Sequence, residues 1–433
     1  MTNMQITLAH PTPAPFVQQV ARALLEADML RKFSTTLVTD PEAIWVELIN
    51  PLAKTMGINL SRQLSRRSLT EVPKSLVSSH PWQEIIRIIV SSIDNDKRLT
   101  DVVFHWANNG FDRWVSQNQL HQTQGVYSYE YNSLEIFRES EKKGIARIYD
   151  VPSPEHDYVE NLLEAESERF PEIDSPYRRY CRKRQSERTE HRRQERQLAD
   201  LIIANSSFTK QSYVAAGCPD EKIRVVPCGA PPVCEAASQE DKKETLSHTS
   251  FLWAGTFSIR KGAHYLLQAW QKLNPGRAAK LQVLGAMGLP DSLLKSLPDS
   301  ISFSGTVPRS ELYPIYQRSD ALVFPTLCDG FGMVVTEAFA HGLPVITTDR
   351  AGAADLVDHG VNGLIVPAGD ADALTDALDW CISHPNELKA MKQAALKTAS
   401  EWQWKDYRAA LVLNIEEGLN RAGYTAKSYN QAI

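Results

Sequence analysis

The chain has no apolar run long enough to cross a bilayer. Its most hydrophobic local stretch, Ile85 to Ile93, is short and broken by Arg87. It has no C-x-x-C pair, and its 6 cysteines are scattered without metal-ligand spacing. They read as free thiols in a reducing cytoplasm. It has no large charge imbalance: 47 Lys plus Arg against 52 Asp plus Glu leave a net charge of −5, so nothing draws it globally to nucleic acid. The N-terminus has no basic segment followed by an apolar core, so no signal peptide is expected. No repeat of fixed period recurs, which argues against a solenoid or other repeat array. What remains is a chain of 433 residues, 42% hydrophobic and 23% charged. That is a soluble globular protein of two or three domains with large cores.

The most informative stretch runs from Ala321 to Thr348, ALVFPTLCDGFGMVVTEAFAHGLPVITT. It predicts a strand, a tight loop at Asp329-Gly330-Phe331-Gly332, a helix over Met333 to Ala340, a stop at Gly342 and Pro344, and a second strand. A glycine-bounded loop that opens a helix after a strand is suited to hold anionic groups, because free N–H groups and the positive end of the helix dipole point outward. Asp329 and Glu337 bracket the element, seven positions apart. A carboxylate repels a phosphate, so the pair suits the hydroxyls of a ribose or a hexose. The same pattern also serves an ordinary βαβ crossover with a solvated Asp and a surface Glu.

A second cluster, Ala254-Gly255-Thr256-Phe257-Ser258-Ile259-Arg260-Lys261-Gly262, lies just past another predicted strand end. Arg binds phosphate as a bidentate fork and Lys as a point charge. A cationic turn capping a helix is the plainer alternative.

Along the rest of the chain, Met4 to Ala9 and Ser34 to Thr39 read as strands around a proline-rich loop and a helix over Phe16 to Asp28. Asn50 to Pro81, with Arg62, Arg66, Arg67 and Lys74, is polar and irregular, either a solvated excursion or an acceptor or membrane-surface element. Trp82 to Ile93 is helical. Asp94-Asn95-Asp96 matches a metal-binding D-x-D but reads as a turn before a strand over Val102 to Ala107. Gly125 to Glu130 and Ile145 to Asp150 are further strands. Glu155 to Leu198 is helical with a pause near Pro171 and Pro176. Its part from Arg178 to Arg196 is rich in Arg and Lys, which gives a solvated face or a surface for anionic lipid or a lipid-linked acceptor. A linker spans Ala230 to Ser250. Beyond it, six short apolar strands alternate with helices, which predicts a parallel sheet that binds its ligand at the strand carboxyl ends.

The stretch DGFGMVVTEAFAHGLPVI resembles the E-x(7)-E signature of the retaining family-four glycosyltransferases, the group 1 glycosyl transferases of GT-B fold. Asp329 stands where that family has Glu. The cluster at Gly255–Gly262 resembles the family's G-R-x(4)-K-G motif. Lys261 matches its Lys, Thr256 occupies the place of its Arg, and Arg260 stands next to Lys261 to supply a guanidinium. The resemblance implies an α/β protein of two Rossmann-like, doubly wound parallel-sheet domains facing a cleft. Residues 1–235 would form the acceptor-side domain, with a crossover helix at 405–433, and residues 245–404 the donor-side domain. It implies transfer of a sugar from a nucleotide-sugar to a glycan or lipid-linked acceptor, with retention and no metal or other cofactor, in the cytoplasm or at the inner face of the plasma membrane.

By the same resemblance, Lys261, Arg260 and the amides of Gly332, Met333 and Val334 would hold the donor diphosphate, with Gly255, Thr256, Gly330 and Phe331 around it. Glu337 would hold the ribose, Asp329 the donor sugar, and the backbone at Val307 the nucleobase. Glu130, at the strand end where many relatives place a His, would face the reacting sugar, with His105 and Asp112 as further candidates. His105 also suits a partly buried structural role. The departures at Thr256 and Asp329 keep two alternatives open: a GT-B scaffold that only binds, and another GT-B enzyme such as a nucleotide-sugar epimerase.

Overall fold

The computed structural model describes residues 4–39, 67–69, 71–94, 96–173, 176–234, 248–295 and 297–424. Most of the polar excursion with Arg62 and Arg66, Asn95 of the D-x-D, the middle of the linker and residues 425–433 lie outside them. The N-terminal sheet has seven strands: β1 (Ile6–Ala9), β2 (Leu30–Thr35), β3 (Val77–Ser79), β4 (Gly125–Tyr129), β5 (Ala146–Val151), β6 (Leu201–Ala204) and β7 (Ile223–Val225), in the order β3-β2-β1-β4-β5-β6-β7. The second sheet has six: β8 (Thr249–Ala254), β9 (Ala279–Leu284), β10 (Ile301–Phe303), β11 (Ala321–Phe324), β12 (Val345–Thr348) and β13 (Gly363–Val366), in the order β10-β9-β8-β11-β12-β13. Every ladder is parallel. The central strands β1, β4, β6, β11 and β12 are buried along their whole length, as expected where helices cover both faces.

The helices of the first unit are α1 (Pro15–Glu26), α2 (Trp82–Ile93), α3 (Arg98–Asn118), α4 (Leu134–Lys142), α5 (His156–Arg169), α6 (Pro176–Arg182), α7 (Gln185–Leu198) and α8 (Ser207–Ala215). Those that follow are α9 (Ala263–Leu273), α10 (Arg309–Arg318), α11 (Met333–Ala340), α12 (Ala371–Ser383), α13 (Pro385–Glu401) and α14 (Trp404–Arg421). The pause near Pro171 and Pro176 is a single 3₁₀ turn, Pro171–Ile173, between α5 and α6. Ser206 caps α8, accepting from the Thr209 amide at 3.0 Å.

Three expectations are corrected. Val102 to Ala107 is not a strand but the middle of α3. Its apolar residues recur at helical spacing, and the preceding acids serve as caps: Asp94 accepts from the Thr100 amide at 2.6 Å and Asp96 from the Arg98 amide at 3.0 Å. The second strand is Leu30–Thr35, earlier than Ser34 to Thr39, because Asp28 takes a left-handed conformation (φ 54°) that ends α1 abruptly and starts the strand two residues on. Arg67 is buried rather than solvated, donating to Glu84 at 2.5 Å.

The outgoing and returning segments between the sheets run side by side. The Ala230 amide donates to the Trp402 carbonyl at 2.9 Å, the Trp404 amide to the Ala230 carbonyl at 3.2 Å, and the Trp402 indole to the Pro227 carbonyl at 3.0 Å. After that crossing α14 packs on α1. Tyr407, Leu411, Ile415 and Leu419 join Val17, Val20 and Leu24 in one core. Arg408 of α14 adds an ion pair to Glu26 of α1 at 2.7 Å. Truncating Leu411, which is fully buried there, should therefore loosen the first unit from its far end. Leu411→Ala is expected to cost about 2–5 kcal/mol in urea unfolding, and a loss under about 0.5 kcal/mol would mean that α14 is not part of that core.

Candidate functional site

In an open parallel sheet, ligands gather where the strand order reverses, because the loops there diverge and leave a crevice. In the second sheet that point lies between β8 and β11. The loop after β8 carries Gly255, Thr256 and Lys261, and the loop after β11 carries Asp329 and the start of α11. The two motifs, about 70 residues apart in the chain, thus meet at one sheet edge. They form one wall of a cavity of about 440 Å³ between the two units. Gly255, Thr256, Lys261, Asp329, Phe331, Gly332, Met333, Val334 and Glu337 line it from this side. The volume is that of a small-molecule site.

Lys261 is the cation of the cavity. Its ammonium pairs with Asp329 and lies 5.0 Å from the centre of the Phe324 ring. Burial, and then repulsion from Arg260, draw its pKa down to about 7, with Cys328 working the other way. The other Asp329 oxygen sits 3.4 Å from the Phe331 amide. Asp329 is therefore occupied as the counter-ion of Lys261 rather than turned out alone into the crevice. Arg260 does not reach the cavity wall. Its carbonyl accepts from the Leu327 amide at 3.0 Å and the Thr326 hydroxyl at 3.1 Å, which ties the Lys261 turn to the end of β11, while its guanidinium approaches the Cys328 carbonyl at 3.4 Å.

Two glycines set the backbone. Gly332, with φ 90°, is the N-cap of α11, and a β-carbon there would come 2.6 Å from the Phe324 ring. The first helical amides, of Met333 and Val334, are thereby placed on the cavity wall, where amides at a helix start favour an anion. Gly330 lies off that wall. Its carbonyl accepts from the Ser206 hydroxyl at 2.7 Å, and a β-carbon would collide with the Pro152 carbonyl, so it is where the loop touches the first unit. Glu337, further along α11, accepts from the Tyr316 hydroxyl at 3.2 Å. Val307 packs against the apolar core beside the loop after β10 and does not line the cavity.

The opposite wall differs from the sequence expectation. Glu130 is not on it: burial raises its pKa, and the Arg192 guanidinium 2.6 Å away works against that rise. Arg192 also covers the Tyr131 ring at 4.4 Å. His105 Nδ1 hydrogen-bonds with the Tyr131 hydroxyl at 2.5 Å, and burial pulls its pKa down to about 4. Asp112 caps α4, accepting from the Glu135 and Ile136 amides at 2.8 and 2.9 Å. The carboxylate that does line the cavity is Asp150, at the end of β5. It accepts the Tyr127 hydroxyl at 2.5 Å, and burial raises its pKa to about 7. Asn205 and Phe16 also line this wall. Asp150 was readable as a strand-end acid. Strand spacing alone could not show that β5, rather than β4, ends at the cleft.

Residues 248–384 match the family described as Glycosyl transferases group 1. A D-inositol 3-phosphate glycosyltransferase of Corynebacterium urealyticum is 30% identical over 237 residues, 49% of this chain and 56% of that protein. The amylovoran biosynthesis glycosyltransferase AmsK of Erwinia amylovora is 26% identical over 191 residues, 41% of this chain and 46% of that one. The chain spans about half the length of such curated relatives. Among solved structures, a sucrose-phosphate synthase of Thermosynechococcus elongatus superposes with a TM-score of 0.65 at 17% identity, over 97% of this chain and 100% of that one. Anabaena HepE, solved in complex with UDP, gives 0.62 at 16%, over 96% and 100%. At such identity the likeness is one of fold, the two-domain GT-B arrangement.

A depressed ammonium has a clear consequence for anion binding. Lys261 is largely neutral above its pKa of about 7, so inorganic pyrophosphate should bind the free protein less well as pH rises from about 6 to about 8.5, relative to Lys261→Arg, which stays charged. Binding near neutral pH should also take up protons that the Arg variant does not. Titration calorimetry in buffers of different ionisation enthalpy reads both, and an equal proton count for the two proteins would remove Lys261 from the anion site.

Proposed function

We propose, from the match of residues 248–384 to the group 1 glycosyl transferases, that the protein moves a sugar from a nucleoside-diphosphate sugar to an acceptor hydroxyl in glycan or glycolipid biosynthesis. The observation that carries this reading is the meeting of Lys261, the first amides of α11 and the carboxylates of Asp329 and Glu337 on one wall of the inter-unit cavity. Departure of a nucleoside diphosphate loads negative charge onto its phosphates in the transition state. An ammonium and helix-start amides already aimed at that position stabilise the charge more than they stabilise the ground state, which is what lowers a barrier. In this reading these groups do the work that another enzyme assigns to a divalent metal.

The residues take distinct parts. As the donor enters, its diphosphate displaces Asp329 from Lys261 and restores full charge to the ammonium. The released Asp329 carboxylate turns to hydroxyls of the donor sugar, and Glu337 takes the ribose. Arg260 stands behind Lys261 and adds positive potential without touching the ligand. Asp150 faces them from the first unit; with a pKa near neutrality it can hold a sugar or acceptor hydroxyl in either protonation state. Transfer occurs on the same face of the sugar, with retention. The UDP complex of Anabaena HepE, a protein of the same fold, supports a nucleotide in such a cleft.

The test is a screen of nucleotide-sugars for release of nucleoside diphosphate, with and without polyprenyl-linked or free glycan acceptors. Acceptor-dependent release is the expected result. Release coupled only to free sugar indicates an epimerase, and none with any donor a binding scaffold. With an active donor in hand, Lys261→Ala should cut kcat/KM about a hundredfold while the protein stays folded. Glu337→Ala should raise the donor KM and leave kcat nearly unchanged; a normal KM would rule out the ribose role.

A further inference from the structure

Nine of the fifteen large apolar side chains that are exposed among the described residues fall between positions 82 and 106. On α2 they keep helical spacing: Trp82, Ile85, Ile86, Ile89 and Ile93 face solvent, while Gln83, Glu84 and Ile88 are buried beneath them. On α3, Leu99, Val102 and Trp106 continue the stripe. The two helices pack on one another, and the Trp82 and Trp106 rings meet edge to face with centroids 5.2 Å apart. The result is one apolar face about 16 Å long on the first unit. Scattered exposed apolar side chains need no explanation, but a contiguous face of this kind does.

The next face of α3 is fastened to the basic stretch. Asp101 receives Arg188 at 2.7 Å and Arg184 at 3.2 Å, and the Arg98 guanidinium lies 5.9 Å from the centre of the Tyr180 ring. Lys97, Arg98 and Lys183 are exposed beside the stripe, Arg98 lying 3.8 Å from the likewise exposed Asp96. The sequence separates the apolar hairpin from the basic helices by some 70 residues; the fold sets them edge to edge. An apolar stripe bordered by cations, with Trp at its margin, has the chemistry of a surface that lies in the headgroup boundary of a bilayer.

We propose that the α2–α3 face, together with the exposed cations Lys97, Arg98 and Lys183 at its border, docks the protein on an anionic lipid bilayer. The apolar residues enter the headgroup boundary, and the cations lie over the lipid phosphates. No helix among the described residues is long and apolar enough to cross a membrane, so the contact is with one surface. Charge favours lipid over a second copy of the chain: a two-fold pairing through this face would bring each copy's cations near the other's, whereas an anionic leaflet neutralises them. The inference does not depend on the chemistry of the cleft.

The full chain is floated with vesicles of phosphatidylglycerol mixed equally with phosphatidylcholine, and with phosphatidylcholine alone. Binding to the anionic vesicles that weakens in high salt is expected. The double variant Ile85→Asp, Ile89→Asp should lower the bound fraction about tenfold or more without moving the thermal midpoint. Lys97→Ala with Lys183→Ala should lower it a few-fold and blunt its salt dependence. Failure to bind anionic vesicles overturns the proposal, as does binding that both variants leave unchanged. A dimer in sedimentation that the Ile→Asp variant dissociates gives the face to a second copy. A several-degree fall in midpoint with binding intact gives it to the chain's own interior. Nucleoside diphosphate release without lipid, measured on the same variants, reads the cleft separately.

Discussion

Every strand among the described residues runs parallel to its neighbours, and the rest follows from that constraint. Parallel pairing forces each connection back over a sheet face, so the strands are buried on both sides and their carboxyl ends emerge together. In the second sheet the reversal between β8 and β11 opens a crevice at that edge. Lys261 and Asp329 meet there because their loops leave adjacent strands, although neither is near the other in the chain. The opposite wall, with Asp150 and Asn205, comes from carboxyl ends of the first sheet.

Charge is placed in the crevice at a cost that its surroundings hold in balance. Burial disfavours the Lys261 ammonium and Arg260 disfavours it further, while Asp329 pairs with it and the centre of the Phe324 ring lies 5.0 Å away. A cation kept near its neutral form by burial gains more from an arriving anion than one already solvated. In the proposed function, the Lys261–Asp329 pair holds the place of the negatively charged donor. The loop that presents it is held at two points: the Gly330 carbonyl accepts from the Ser206 hydroxyl, and Gly332 leaves no room for a β-carbon against the Phe324 ring.

Much of this was legible in the residues. The six strands of the second unit are short apolar runs between turn signals, and the structure has all six. Glycine at 332 followed by a good helix former announced the α11 start. The errors came where a local pattern supports two answers. Val102 and Val103 are β-branched, yet the helical spacing from Leu99 to Trp106 and the Asp94 cap prevail, because α3 packs along its length on α2 and α4. The basic run before Leu198 looked solvated because its partners, Asp101, Glu130 and Glu155, come from other elements.

By itself the sequence determined most of the strands and helices, which loops carry cations and carboxylates, and that the architecture is parallel α/β. These depend on periodicity, turn chemistry and residue type, all encoded within a few neighbouring positions. The tertiary structure alone decided that Lys261 reaches the cavity while Arg260 does not, that Asp150 rather than Glu130 faces it, and that an apolar hairpin lies beside a basic helix pair. Each of those turns on which strand ends at the cleft and which helix faces which, and that is settled by packing between residues distant in the chain.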